Sequence, residues 1–444
     1  MKTNRRTFLK QASVASVAPF ILPSSIWSAQ TKPNDRLVMG FIGMGKQSRG
    51  LLGAFLHRNM CSVAAVCDVD TTRREDAQRR VNEFYTQRPG AGSPDCAAYN
   101  DFREIIDRDD INAVCIATPD HWHAIPVLAA LESGKDVYCE KPLTHNIHEA
   151  IAIMNAVPAN KRVLQTGSMQ RSMKEFRVAC ELVRNGAIGE ISHVECSFGP
   201  PGVPCDLPEE EMEPGLDWDM WIGPGPMRPY NSVLSPRGMH DHFPDWRKYK
   251  EYGGGMVCDW GAHHLDIAQW GLGMDESGPV EVIPPDDPAA VEGAVLVYAN
   301  GVRVIHKGGF GAHFFGSEGE VKVNRGRIEF WRGGEKLAGF VDREDGGSLG
   351  STLQKIESEY LSDAKIKLYQ SEDHVGDFIN CVKARTRPIT NEEVGGRSAI
   401  CCHLMNQAYY NHADIKWQPE KMRLAPGSGD PAWLTRDYRD PWSV

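Results

Sequence analysis

A carboxylate and an imidazole, Asp259 and His263, stand four residues apart in the run Gly253-Gly254-Gly255-Met256-Val257-Cys258-Asp259-Trp260-Gly261-Ala262-His263-His264-Leu265-Asp266. On a helix that spacing puts both on one face. A carboxylate beside an imidazole orients it and raises its basicity. Such a dyad takes a proton from a hydroxyl while hydride leaves the same carbon; the plain alternative is an ordinary surface pair. The glycines permit close approach of backbone to a ligand. Lys141 is the second reactive candidate, in Glu140-Lys141-Pro142 directly after the apolar run that ends at Cys139. Ligands of open α/β sheets bind beyond the carboxyl ends of the strands, and a lysine there with a partly buried stem works as acid or base. The competing role is a surface Lys at a strand end. His240, His242, His263 and His264 are near one another in sequence. Adjacent helical residues point about 100° apart, so His263 and His264 do not easily share one ion, and no metal site is expected.

A second chemistry lies near the start. Gly43-Met44-Gly45-Lys46-Gln47-Ser48 follows an apolar run and opens a helical pattern. In a dinucleotide site the first glycine makes the tight turn and the second lets backbone N–H groups reach the pyrophosphate. The third position, usually Gly or Ala, is Ser48. Asp68 ends the next apolar run, 25 residues after Gly43. An acid there accepts from ribose hydroxyls and repels a 2′-phosphate, which favours NAD over NADP. Thr118-Pro119-Asp120-His121-Trp122-His123 closes a third run on the same sheet edge. His121 or His123 lines a nicotinamide pocket there or, more blandly, caps the helix that follows.

The elements that must position these residues alternate. Strand-like runs at 37–42, 62–68, 113–118, 135–139 and 163–166 are separated by helical patterns at 48–58, 72–85, 101–108, 124–133 and 147–156. That alternation argues a doubly wound parallel sheet. Segment 88–98, with two prolines and two glycines, reads as an inserted loop. A helix at 173–185 and a strand at 192–198 begin a different unit. Residues 199–255 read as a long loop whose Trp218, Trp221, Tyr230, Trp246, Tyr249 and Tyr252 favour an ordered, functional segment. The run 259–270 reads as one helix. Strands at 294–298, 303–306, 320–323 and 328–331 suggest an antiparallel sheet, 342–358 is polar and poorly patterned, and helices at 371–384 and 393–411 close the chain.

Taken together, the glycine turn with Gly43 and Gly45, Thr118 through His123, Glu140-Lys141-Pro142 and the Gly255 to His263 segment resemble the glucose–fructose oxidoreductase / inositol dehydrogenase (Gfo/Idh/MocA) family over about residues 35–415. The resemblance implies an α/β fold: an N-terminal Rossmann domain, then an α+β domain with a large, mainly antiparallel open sheet that often serves in oligomers, here a dimer or tetramer. It implies NAD(H) or NADP(H) chemistry on a sugar or polyol. Lys141 matches the lysine that hydrogen-bonds the reacting hydroxyl, His263 the acid/base histidine and Asp259 its partner. Gly43, Gly45, Lys46, Gln47, Ser48, Asp68, Thr118, Pro119, Asp120, His123, Glu140 and Lys141 form the expected cofactor side. Gln170, Arg171, Trp246, Arg247 and His264 are the expected substrate contacts. Asp120 stands where many members have Asn, and Ser48 where many have Gly.

The 444 residues divide into an expected targeting segment at 1–29, a Rossmann domain at 35–167, a substrate and oligomerisation domain at 168–415 and a tail at 416–444 that packs on both. Asn4-Arg5-Arg6-Thr7-Phe8-Leu9-Lys10 followed by an apolar stretch and Trp27-Ser28-Ala29 has the order of a twin-arginine signal, which implies export to the periplasm or beyond. The segment holds four cations and no acid, so its loss takes the net charge from −10 to −14. A chain that acidic does not hold nucleic acid by general charge attraction, and no run in the mature part is long and apolar enough to span a bilayer. The twelve cysteines form no Cys-x-x-Cys pair, and neither a disulfide framework nor a zinc knuckle is expected. Three functions compete: a sugar oxidoreductase with retained NAD; a redox-neutral glycoside hydrolase using transient oxidation at C3; and a non-catalytic sugar-binding protein.

Overall fold

Each short apolar run must re-enter the sheet in the same direction after a crossover helix, which makes the sheet parallel and buries it on both faces. The computed structural model describes residues 35–444, so the targeting segment at 1–29 lies outside the described residues. The strands are β1 (Leu37–Ile42), β2 (Cys61–Cys67), β3 (Ala97–Tyr99), β4 (Ala113–Ile116), β5 (Asp136–Cys139) and β6 (Leu164–Thr166). All pair in parallel in the order β3-β2-β1-β4-β5-β6. The crossovers include α1 (Lys46–Leu56), α2 (Thr71–Gln87), α3 (Ala124–Glu132) and α4 (Ile147–Asn160). The end of the expected 88–98 loop carries the edge strand β3, three residues too short to show a period.

The second unit opens with α5 (Lys174–Arg184) and β7 (Ile191–Cys196). It continues through α6 (Gly255–Asp259), α7 (Gly261–Leu272), β8 (Glu281–Ile283), β9 (Val295–Val297), β10 (Arg303–His306), β11 (Ala312–Gly316), β12 (Gly319–Asn324), β13 (Arg327–Arg332) and β14 (Glu335–Phe340). Then come α8 (Leu349–Tyr360), α9 (His374–Ala384), α10 (Glu392–Asn411), β15 (Ile415–Gln418) and β16 (Arg423–Leu424). The ten strands lie in the order β14-β13-β12-β11-β7-β10-β9-β8-β15-β16. The β7–β10 pair is parallel and the other pairs with assigned registers are antiparallel. One face packs Val194, Phe314, Val321 and Phe330 against Phe176 of α5 and Leu265 and Trp270 of α7. The opposite face carries a charged lattice in which Lys322 meets Glu320 and Glu329, and Lys336 meets Glu329. The polar stretch expected to be unpatterned holds α8, capped by Ser348 and buried through Leu353 and Ile356 alone, too few apolar residues to announce a helix.

The two units interlock. Helix α9, expected within the second domain, lays Val375, Phe378 and Ile379 on Phe41, Phe55 and Tyr138 of the first sheet. At the C-terminus Trp442 packs edge-on against Trp122 at 4.8 Å, and Arg436 pairs with the fully buried Glu149 at 2.8 Å.

Arg171 corrects a sequence expectation. It was expected to face substrate; instead its guanidinium is 2% exposed and forks onto Asp266 of α7 and Asp275, each at 2.8 Å. Removing one partner of such a buried network leaves an uncompensated charge. Arg171→Met is expected to lower unfolding free energy by about 3–5 kcal/mol, measured by denaturant titration. A variant as stable as the parent contradicts this placement.

Candidate active site

A cavity of about 520 Å³ opens beyond the carboxyl ends of β1, β2, β4 and β5 and is closed by the second unit. That is the size of a small-molecule site. At its nucleotide end Gly43 has φ +83°, and a Cβ there would sit 2.8 Å from the Thr118 amide nitrogen, so only glycine brings the turn this close to the next strand. A Cβ on Gly45 would meet nothing within 4 Å. This open hollow stands at the N-terminus of α1, whose first turn has no acid, an arrangement that favours a phosphate. Asp68 accepts from the Met44 amide at 2.6 Å and the Asp70 amide at 2.8 Å, bracing the turn. Burial pushes its carboxyl up, opposed by Arg73 and these two amides. Lys46, Gln47, Asp68 and Arg73 line the cavity. Ser48 does not: it is fully buried beneath the turn, its hydroxyl 3.5 Å from the Met44 sulfur. The turn, the hollow and the acid fit a dinucleotide.

The long insertion covers this end. Leu234, Ser235, Pro236, His240, Phe243 and Pro244 line the same cavity from the opposite side. Arg73 of α2 donates to the Ser235 hydroxyl at 3.3 Å and to the Pro236 carbonyl. Arg49 of α1 holds the His240 carbonyl and Asp241. The insertion is therefore a strap latched to both crossover helices of the cofactor groove.

At the other end the side chains converge from both units. The Lys141 ammonium donates to Asp259 Oδ1 at 2.5 Å and to its carbonyl at 2.8 Å; Arg247 Nε lies 3.6 Å from the same oxygen. Burial would raise the Asp259 carboxyl, but Lys141 and Arg247 hold it below the usual range. Glu140 accepts from Gln47 at 3.0 Å and from the Lys141 amide at 3.3 Å. Burial pushes Glu140 up and Asp120 well up, with Lys141 and Arg247 opposing in both. His263, Trp246, Arg247, Thr118, Pro119, Asp120, His123 and Glu140 all line this cavity.

The expected Asp259–His263 dyad does not form. Helix α6 ends at Asp259 and α7 starts at Gly261, and among the described residues no hydrogen bond joins the Asp259 and His263 side chains. At the first residue of α6, Gly255 has φ +67° and its Cβ position is 2.3 Å from the Gly202 nitrogen, so only glycine lets the helix start this close to that segment. Asp259 swings to Lys141. His263 Nδ1 is buried without a partner, and burial, then Lys141 and Arg325, push the imidazole far below its ordinary value. Burial thus favours the neutral form of His263, as it does those of Asp120 and Glu140.

Two further expectations are corrected. His264 does not line the cavity; its Nδ1 lies 2.5 Å from the Ser197 carbonyl. Gln170 sits behind the wall, its amide placed to donate to the His263 carbonyl and accept from Arg325 Nε, both at 3.2 Å. His123 lines the cavity with its ring pinned between the Pro142 and Thr118 carbonyls at 2.7 and 3.0 Å. His121 is likewise tied to the Trp221 carbonyl at 3.0 Å. Sequence reasoning missed Arg325, at the tip of the β12–β13 hairpin, along with Trp260 and Met169, which also line the cavity. The Asn-Arg-Gly turn signals a hairpin, but no local pattern says where its tip points. Among the described residues no cluster of His, Cys, Asp and Glu is placed to hold a metal ion, and no helix is long and apolar enough to cross a membrane.

Fold and site define a two-domain dinucleotide-binding protein with a lysine, a carboxylate and a neutral imidazole at the closed end of the groove. Residues 37–168 match a family model described as an oxidoreductase family, NAD-binding Rossmann fold, and residues 197–321 match that family's C-terminal alpha/beta domain. The chain belongs to the Gfo/Idh/MocA oxidoreductase family, and its N-terminal domain is the NAD-binding one. A glycosyl hydrolase family 109 protein of Shewanella pealeana is 28% identical over 215 residues, 45% of this chain and 46% of that one. The chain thus matches about half the length of such curated relatives. The WlbA dehydrogenase of Bordetella pertussis, in complex with NADH and UDP-GlcNAcA, superposes with a TM-score of 0.58 at 15% identity over 87% of this chain and 99% of that one. A levoglucosan dehydrogenase in complex with NADH gives 0.54 at 19% identity, over 86% and 99%. At these identities the structures establish the shared fold.

The buried histidines set a pH dependence. Burial lowers His121 to about 3, and His123, His264 and His374 to about 4. Unfolded, they take protons near their ordinary 6.5; folded, they stay neutral to much lower pH. The unfolded state then binds more protons, so stability falls as pH drops from about 6.5 toward 4. Each histidine contributes up to about 1.4 kcal/mol per pH unit. Guanidinium midpoints at pH 7.5, 6 and 5 are expected to decline in that order. Equal midpoints contradict the burial of neutral histidines.

Proposed function

We propose that this protein is an NAD-dependent oxidoreductase that acts on a sugar or glycoside and keeps its cofactor through each turnover, with hydride moving at a ring hydroxyl carbon. One observation carries the reading: Lys141, braced by Asp259 at 2.5 Å, and the neutral His263 face the cavity that begins at the Gly43 turn. NAD, when bound, supplies the hydride acceptor. The Lys141 ammonium donates to the carbinol oxygen and stabilises the negative charge that grows there. Asp259 keeps that ammonium oriented. His263 Nε2, unbonded within the protein, takes the hydroxyl proton. The strap at 234–244 excludes water from the groove. The convergence of three reactive groups argues against a purely sugar-binding role.

A second reading has its own support, the glycosyl hydrolase family 109 relatives. Oxidation at C3 of a glycoside acidifies the adjacent C–H; the aglycone is eliminated, water adds, and the hydride returns, so glycoside and water give sugar and aglycone with no net redox change. Both readings need a resident cofactor. The paired arginines at Arg5-Arg6 support export of an already folded, loaded protein, since little free NAD is expected outside the cytoplasm. The charged outer face of the large sheet is the proposed meeting surface of a homo-oligomer.

The test is a panel of aryl glycosides and free sugars, with bound-nicotinamide absorbance and aglycone release followed together. Absorbance without cleavage identifies the oxidoreductase; cleavage with no lasting absorbance identifies the redox-neutral hydrolase. His263→Ala and Asp259→Asn are expected to slow either reaction by about 10²–10⁴ while retaining bound cofactor. Near-parental turnover in either variant removes that residue from the mechanism.

A further inference from the structure

The tip of the β12–β13 hairpin is held with unusual care for an exposed turn. Asn324 Nδ2 donates to the Phe310 carbonyl at 2.7 Å, and Asn324 Oδ1 accepts from the Arg325 amide at 2.8 Å. The Gly326 amide, at φ +73°, donates to the buried carboxylate of Glu175 at 2.9 Å. These contacts fix the backbone on both sides of Arg325 and send its side chain into the catalytic end of the cavity. There the guanidinium lies 4.8 Å over the Trp260 ring, and its Nε is placed to donate to Gln170. Among the described residues the two terminal nitrogens make no hydrogen bond, and no carboxylate lies within 4 Å of them. Arg325 is exposed as a residue, so this guanidinium fork is solvated, yet it belongs to the cavity lining and lies close enough to Asp259 and Glu140 to feel their charge.

The charge around it is one-sided. Lys141, Arg247 and Arg325 face this end of the cavity. Asp259 is the one acid there held below its ordinary value, and it is shared between Lys141 and Arg247. Burial pushes Asp120 and Glu140 toward their neutral forms. Three cations therefore share one firm anion, and the cation without a carboxylate partner is the one whose planar fork matches a carboxylate bidentately.

We propose that Arg325 reads a carboxylate on the substrate, and that the substrate is an acidic sugar, a uronic acid or a glycoside of one, with a ring hydroxyl at Lys141 and His263. This deepens the oxidoreductase reading and rests on it. A bound carboxylate also corrects the local electrostatics. His263 is depressed by burial and then by Lys141 and Arg325, and an added anion beside those cations returns the imidazole toward a useful basicity. The aromatic stack on Trp260 keeps the guanidinium plane fixed, so little ordering remains to be done on binding.

The test uses the cofactor-loaded protein and matched pairs of probes: glucuronate against glucose, galacturonate against galactose, and the corresponding 4-nitrophenyl glycosides. Binding is measured by calorimetry, and reduction of the bound nicotinamide by absorbance. At least one uronate is expected to bind more tightly than its neutral partner, and Arg325→Met to weaken it by about 30-fold or more. Arg325→Lys, which keeps the charge but not the fork, is expected to recover part of that loss. Bound cofactor per chain reports whether each variant is folded. Neutral sugars binding as well as uronates, equal losses for both classes in Arg325→Met, or no binding by any uronate overturns the proposal. Uronate binding that depends on Arg325 with no reduction of the cofactor leaves the acid-sugar site standing and counts against the oxidoreductase reading instead.

Discussion

The contact between Lys141 and Asp259 joins two parts of the chain that are 118 residues apart. Lys141 belongs to the carboxyl end of β5, Asp259 to the last residue of α6. Their side chains are only 15% and 17% exposed, so both charges have given up most of their water. A pair this dry is held only by good geometry and further hydrogen bonds. Here the ammonium reaches both the carboxylate and the carbonyl of Asp259, and Arg247 adds a second cation. The pair closes the second unit over the strand ends. Once that closure is made, His263 follows one turn later on α7, and the hairpin carrying Arg325 comes over the same hollow.

The same closure explains why so much charge is tolerated around one cavity. The lining combines a phosphate-ready helix N-terminus, acids pushed toward neutrality by burial, and an imidazole kept neutral by burial and neighbouring cations. The strap, latched through Arg73, Arg49 and Lys46, shields the nucleotide end from solvent. A groove covered in this way strengthens the electrostatic contacts inside it.

Much of the first domain was legible because its strands are buried on both faces and read as short apolar runs between amphipathic helices. Gly43, Asp68, Pro119, Glu140 and Lys141 could be placed at strand ends from that pattern alone. What escaped has physical reasons. Strands β3 and β8 are three residues long, and neither β11 (Ala-His-Phe-Phe-Gly) nor β14 (Glu-Lys-Leu-Ala-Gly-Phe) alternates apolar with polar residues, so no period develops. The four-residue spacing of Asp259 and His263 suits a shared helical face, but Asp259 is taken by Lys141, 118 residues away in sequence, a tertiary contact that no local pattern announces. Arg171 and His264 neighbour site residues in sequence, yet helical geometry turns both inward, to Asp266 and to Ser197. Arg325 lies in a turn whose direction is set by Glu175 and Phe310, neither of them near it in sequence.

The proposed cycle depends on this groove holding its dinucleotide as a resident part of the protein. The direct measurement is to purify the protein with no cofactor added, denature it, and quantify NAD in the supernatant. Close to one NAD per chain is expected, retained through extensive dialysis; a dissociation constant near 1 nM corresponds to about 12 kcal/mol. A cofactor-free preparation that becomes active only with added NAD, and then accumulates NADH in step with product, would contradict it.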